Sequence, residues 1–219
     1  VGVRSIALVS GTLFPVIMYR WIGREWGRHA GLVALTILTF APELILLSVE
    51  ARAYTLTLLF MSLALYTLDA AIEKDSPWRM GVFGLCLFGA VLSDFSAAFF
   101  VLAIGAYFIF RIFEGKISTA TRVIWEFSQV GVIVVYAFLW TVQIHPMRQI
   151  TSSLTDAAAW LSDFYLQPGQ NPLVFIVLNT SRQFAFLLPN IVPAVAAMLL
   201  FALALWILWR KSPPEKLWH

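Results

Sequence analysis

The sequence predicts an all-α protein: a polytopic transmembrane helical bundle of about seven spans, with an external loop carrying a short amphipathic helix. Three observations predict it. Of 219 residues, 60% are hydrophobic and only 12% are charged, against about half and about a quarter in an ordinary soluble domain. Mean hydropathy is +0.83, and the apolar residues fall into uncharged stretches separated by short charged ones. Open sheet edges are not tolerated in lipid, and no alternating strand pattern suggests a barrel. So little charge cannot cover a water-soluble globule of 24.6 kDa, which excludes a soluble domain, a disordered tail and a nucleic-acid binder.

A helix needs roughly 20 mostly apolar residues to cross about 30 Å of hydrocarbon. The uncharged stretches are 5–19, 30–42, 53–68, 80–93, 95–110, 127–144 and 183–209. Several extend by a turn, through 44–49 or 69–72 for example. The segment 80–113 would reach about 51 Å as one helix, and Ser93-Asp94-Phe95-Ser96 stands at its centre. Two shorter helices meeting near Asp94 are expected instead.

Charge supports that split. With seven spans, Arg20, Arg24, Arg28, Lys74, Arg79, Arg111, Lys116, Arg122, Arg210, Lys211 and Lys216 share one side, and Arg4, Arg52, Arg148 and Arg182 the other. Basic residues concentrate on the cytoplasmic side of membrane proteins. The C-terminus is therefore expected in the cytoplasm. A single span over 80–113 would invert everything after it and spoil the asymmetry. Residues 1–219 form one transmembrane domain in this scheme. Val1 stands near the outer face with no signal peptide before it, so an earlier span and a first external loop are expected upstream.

The connection 145–182 lies outside and is long. It holds Pro146, Pro168-Gly169 and Asn171-Pro172, and Ser153-Leu154-Thr155-Asp156 resembles a capping box. Leu154, Ala157, Ala158, Leu161 and Phe164 or Tyr165 follow helical spacing, which suggests a helix lying on the membrane surface.

Ionisable groups within a membrane are costly and mark places where chemistry can occur. In Pro42-Glu43 and Ser48-Val49-Glu50-Ala51-Arg52-Ala53-Tyr54, the proline loosens the outer part of a span. Glu43 and Glu50 share a face if the segment is helical. Glu50, Arg52 and Tyr54 share one if it is extended. Arg52 there can grip a lipid phosphate by charge-assisted hydrogen bonds. Equally, Glu50 and Arg52 can be an interfacial pair between two helices. Asp94 can line the same outer cavity or cap a following helix. Arg4 can serve the site or snorkel to headgroups. His145, Arg148, Arg182 and Gln183 can hold an acceptor or be merely solvated. Arg20, Arg24 and Arg28 read as topological charges. A single cysteine and three dispersed histidines argue against a metal centre, and no metal or other cofactor is expected.

The run Arg4-Ser5-Ile6-Ala7-Leu8-Val9-Ser10-Gly11-Thr12-Leu13 precedes Tyr19-Arg20-Trp21-Ile22-Gly23-Arg24-Glu25-Trp26-Gly27-Arg28. An alanine-bearing span, Ala41-Pro42 and Glu50-Ala51-Arg52-Ala53-Tyr54 follow. This order resembles the dolichyl-phosphate-mannose protein mannosyltransferase-like family, of the GT-C class of integral-membrane glycosyltransferases, from about Arg4 to Phe110. The resemblance implies transfer of a sugar, such as mannose, from a polyisoprenyl-phosphate donor to a protein, lipid or glycan acceptor at the extracytoplasmic face, with inversion. It implies a bacterial inner-membrane address. Arg52 matches the arginine of the family's Arg-Tyr element, which makes it the donor-phosphate candidate, with Glu50, Tyr54, Asp94 and Arg4 as further substrate-binding candidates. The family's catalytic carboxylate sits between its first and second spans. The chain opens at what resembles the second, so the base is expected upstream of Val1.

Two other classes compete. A transporter or permease also uses broken helices and buried charges, but it predicts an inverted repeat, which the sequence lacks, and polar groups at mid-depth. A non-catalytic membrane scaffold needs none of the outer polar groups.

Overall fold

The computed structural model describes residues 2–50, 53–114, 117–144, 170–188 and 191–211. The described residues contain helices and no strands. The chain divides into two compact units, Val1–Phe138 and Leu139–His219.

The first unit begins with α1 (Gly2–Trp26). Gly27, at φ 90°, supplies the left-handed backbone that reverses the chain into α2 (Arg28–Phe40). Ala41 is extended, which stops α2, and Pro42 stands at the first position of α3 (Pro42–Val49). Proline suits that position because its missing N–H would have no helical partner there. α2 and α3 together are apolar enough for one span but bend by 58°. α4 (Tyr54–Glu73) returns through the bundle, followed by α5 (Pro77–Ser93), α6 (Ala97–Glu114) and α7 (Thr119–Leu139). The break at Asp94 therefore occurs where the sequence places it.

Three helices are long and apolar enough to cross a membrane by length and composition: Arg4–Trp26, Tyr54–Glu73 and Thr119–Val142. The bent pair makes a fourth if it is one span, while Pro77–Ser93 and Ala97–Ile112 are shorter. The seven spans expected from sequence are not confirmed: among the described residues the helices long and apolar enough number three, or up to four. The breaks at Ala41-Pro42 and Asp94 leave α2, α3, α5 and α6 shorter than a single span asks for by that measure.

Packing comes from α4 to α7. Leu68, Met80, Phe83, Leu87 and Phe108 are fully buried and join Ala64, Ala90, Val101 and Val132 in one cluster. Outside it the pattern is inverted relative to a soluble protein: Phe99 is 80% exposed, Phe127 73% and Leu85 69%. Lipid tails are as apolar as these side chains, so helix association relies on close packing rather than on burial from water. Gly84 of α5 shows the device. A Cβ there would collide with the Ser128 hydroxyl of α7 and come within 3.0 Å of its Cβ.

The polar contacts sort the helix ends. Thr55 Oγ1 donates to Ala7 O at 3.1 Å, and Trp21 Nε1 donates to Asp69 at 2.6 Å. α1 and α4 are therefore parallel, with the bent α2–α3 pair running back between them. Ser118, which caps α7, donates to Asp75 in the α4–α5 turn. Phe95 meets Tyr136 edge-to-face at 6.4 Å. One end of the unit thus holds Trp21, Asp69, Asp75 and Ser118. It also holds Arg20, Arg24, Arg28, Lys74, Arg79, Arg111 and Arg122, and is the basic end. The opposite end holds Arg4, Glu50, Tyr54 and Asp94.

The second unit holds a π-helical turn (Trp140–Ile144), α8 (Pro172–Leu187) and α9 (Ile191–Lys211), the last two packed together. Asn171 Oδ1 accepts the Leu173 N–H at 2.9 Å and caps α8. Arg182 and Gln183 therefore belong to a helix, where the sequence suggested loop to 182 and a span from 183. The expected surface helix around Leu154–Phe164 lies outside the described residues, as do His145 and Arg148.

Candidate functional site

The non-basic end of the first unit is built by the start of α1, the bent pair and the start of α4. Ser5 Oγ donates to Gly2 O at 2.8 Å and Arg4 projects exposed beside it. Two turns further along, Gly11 lies against α3: a Cβ there would stand 2.6 Å from Ser48 Cβ. This approach lays α3 across α1. Beneath the bend a groove of about 280 Å³ is lined by Thr12, Pro15, Leu38, Thr39, Ile45 and Ser48 among others. Its walls are mostly apolar with a few hydroxyls, which suits a hydrocarbon chain with polar groups near one end.

Glu50 follows α3. Its N–H donates to Leu46 O at 3.1 Å, and its own backbone is extended at φ −69°, ψ 140°. Glu43 lies in the first turn of α3 and Glu50 just beyond its end. The seven-residue helical face expected for the two is therefore not formed. Glu50 itself is extended because the helix has already stopped, whereas Ala53, at φ −79° and ψ 1°, is not. Arg52 lies outside the described residues. Ala53 precedes α4, and its carbonyl accepts the Thr57 N–H at 2.9 Å and the Thr57 hydroxyl at 3.0 Å. Tyr54 opens α4 and is 37% exposed. The Thr55–Ala7 hydrogen bond ties this segment to the outer turns of α1. It thereby sets Arg4, Glu50 and Tyr54 at one end of the α1–α3–α4 group.

Asp94 stands at the same end of the bundle, between α5 and α6. Its carboxylate accepts the Ser96 N–H at 2.7 Å, and its carbonyl accepts the Ala97 N–H at 3.2 Å. This is an Asx turn that leads into α6. The capping role foreseen for Asp94 is thus realised one step earlier than expected, on the turn rather than on a helix starting at Phe95. Among the described residues no group of three or more His, Cys, Asp or Glu could hold a metal ion.

The basic end carries polar chemistry that the sequence pattern did not single out. Asp69 Oδ2 accepts from Trp21 Nε1 at 2.6 Å, and Oδ1 accepts from Tyr107 Oη at 2.9 Å. One carboxylate joins α1, α4 and α6. Beside it Arg24 pairs with Glu25 at 2.9 Å, approaches Glu73 at 3.9 Å and lies 5.1 Å over the Tyr66 ring. A second carboxylate, Asp75, accepts from the Ser118 N–H at 3.1 Å, the Ser118 hydroxyl at 2.8 Å and the Thr121 hydroxyl at 2.8 Å. These bonds stabilise its charged form and hold its pKa below the usual carboxylate value. The missed signal was weak. Asp69 is a lone acid near the end of an apolar stretch, and its partners are 48 and 38 residues away.

No curated protein and no solved structure matches the chain. A family model described as dolichyl-phosphate-mannose-protein mannosyltransferase matches residues 1–140. That stretch holds α1 to α7, both ends of the bundle and the candidates Arg4, Glu50, Arg52, Tyr54 and Asp94, while His145, Arg148, Arg182 and Gln183 lie beyond it. With helices long and apolar enough to span a membrane and a match over more than half its length, the chain belongs to the dolichyl-phosphate-mannose-protein mannosyltransferase family of membrane glycosyltransferases.

Proposed function

We propose that this protein transfers a sugar from a polyisoprenyl-phosphate donor to a protein, lipid or glycan acceptor at the extracytoplasmic face of the membrane. Mannose is the sugar the family's description names. The observation that carries this is the family match over residues 1–140. Two features support it. The candidate residues Arg4, Glu50, Tyr54 and Asp94 gather at the end opposite the basic one, and basic ends face the cytoplasm. The mostly apolar groove under the α2–α3 bend suits an isoprenoid chain, close to the segment that leads from Glu50 to Tyr54.

The chemistry asks for a cation at the donor phosphate. As the bond from the anomeric carbon to phosphate oxygen breaks, negative charge builds on the leaving phosphate. A preorganised guanidinium in a water-poor site stabilises that charge more than water does. Arg52 takes this role, next in the chain to Ala53 at the start of α4. A carboxylate takes the proton from the acceptor hydroxyl as it attacks, and the anomeric centre inverts. Glu50 and Tyr54 flank Arg52 and line the donor headgroup.

The test is transfer of labelled mannose from polyprenyl-phosphate-mannose by the full-length protein. Arg52→Ala lowers turnover about 10²–10³-fold, while Arg52→Lys keeps part of it. Unchanged transfer by Arg52→Ala at normal expression overturns the assignment.

A further inference from the structure

Among the described residues, three N–H donors on α7 are buried without an acceptor: Arg122 Nε, Trp125 Nε1 and Gln129 Nε2. They stand at i, i+3 and i+7, on one face of the helix. That face meets α6. Trp125 stacks on Phe108 at 4.5 Å between ring centres, and the Gln129 side chain lies 3.8 Å from where a Cβ on Gly105 would be. The pairs 105–129 and 108–125 define an antiparallel register. It carries Arg122 to the level of Arg111 and Ile112, at the basic end.

A buried donor left without an acceptor is destabilising, and native proteins nearly always satisfy such groups. Three in a row on one seam point to an acceptor-rich ligand. Along the helix axis Trp125 lies about 4.5 Å and Gln129 about 10.5 Å beyond Arg122. A cation at the membrane surface with neutral donors below it matches a phosphate with ester carbonyls beneath. The surrounding charge favours the same ligand, because basic residues dominate this end.

We propose that the α6–α7 seam at the basic end binds the headgroup of an anionic phospholipid. Arg122 takes the phosphate oxygen, and Trp125 and Gln129 take the ester carbonyls. The site is separate from the sugar-transfer end and does not depend on that assignment. The headgroup enters by displacing side chains that cover the three nitrogens, and the recovered hydrogen bonds offset that rearrangement.

The test uses the full-length protein, purified in detergent and stripped of lipid. It is titrated separately with phosphatidylglycerol, phosphatidylcholine and inorganic phosphate, and bound species are read by native mass spectrometry. Phosphatidylglycerol is retained in preference to phosphatidylcholine, and inorganic phosphate neither binds at equal concentration nor displaces it. Arg122→Gln weakens retention about tenfold. Gln129→Leu and Trp125→Phe weaken it by smaller factors, and Arg20→Gln, on exposed α1 surface, leaves it unchanged. Trp125→Phe keeps the ring stack on Phe108, so it decides the matter if Arg122→Gln fails to fold. Equal retention of the two lipids, unchanged retention in the variants, or equal binding of inorganic phosphate overturns the proposal.

Discussion

The Trp21 indole N–H donates to the Asp69 carboxylate at 2.6 Å, across 48 residues of sequence. The other oxygen of Asp69 accepts from Tyr107 at 2.9 Å, so α1 and α6 are both tied to α4 at a single side chain. Removing a donor costs one hydrogen bond, whereas removing the acid strands two donors. We expect Trp21→Phe to destabilise the protein by about 1–2 kcal/mol and Asp69→Ala by more, with Asp69→Asn between wild type and Asp69→Ala. Unfolding in mixed detergent micelles measures the order. Equal stability of Trp21→Phe and wild type contradicts it.

Gly84 and Ser128 form the closest approach of α5 to α7. Gly84→Ala places a methyl group against the Ser128 side chain and is expected to cost about 1–3 kcal/mol by overpacking. Ser128→Gly removes the obstacle, so the double variant recovers most of the loss. A double-mutant cycle on thermal stability reads this coupling. Additive effects show that the collision is relieved elsewhere.

Asp75 gives a pH dependence whose sign is fixed. Its folded pKa lies below the usual 3.8 because Thr121 and Ser118 donate to the carboxylate. The stabilisation is therefore present above the unfolded value and fades as pH falls through the folded one. Unfolding midpoints from pH 7 down to pH 3 should drop at the acid end in wild type. In Asp75→Asn that acid-end component should be absent. Parallel curves for the two proteins exclude the Asp75 hydrogen bonds as its source.

Asp94 separates a structural from a catalytic role. Its carboxylate holds the Ser96 N–H, so Asp94→Ala should cost about 1 kcal/mol. Asp94→Ser, which keeps a capping oxygen, should restore stability. If sugar transfer follows the same pattern, Asp94 acts only through the turn. Transfer lost in Asp94→Ser at restored stability places the carboxylate in the chemistry.

Much of this was legible in the chain itself. The polar Ser93-Asp94-Phe95-Ser96 between two apolar runs, together with a length no single span needs, marked a break between helices. Pro42 marked an interruption, though not its 58° bend, because a proline removes a hydrogen bond without choosing a direction. The count of seven spans is not confirmed among the described residues, where three helices, or up to four, are long and apolar enough to cross. Apolar sequence shows that a segment prefers lipid, and it does not show whether the helix crosses the whole bilayer.

Composition and charge asymmetry by themselves determined the helical membrane class, the basic and non-basic ends, and the order of elements. These depend on transfer from water to lipid, residue by residue along the chain. Only the tertiary structure decided which distant side chains meet: Trp21 with Asp69, Asp75 with Ser118, Gly84 with Ser128, and the α7 donors with no acceptor among the described residues. In lipid, helices associate through short-range packing and hydrogen bonds, which depend on register and rotation between helices. Neither is encoded in any single stretch of sequence.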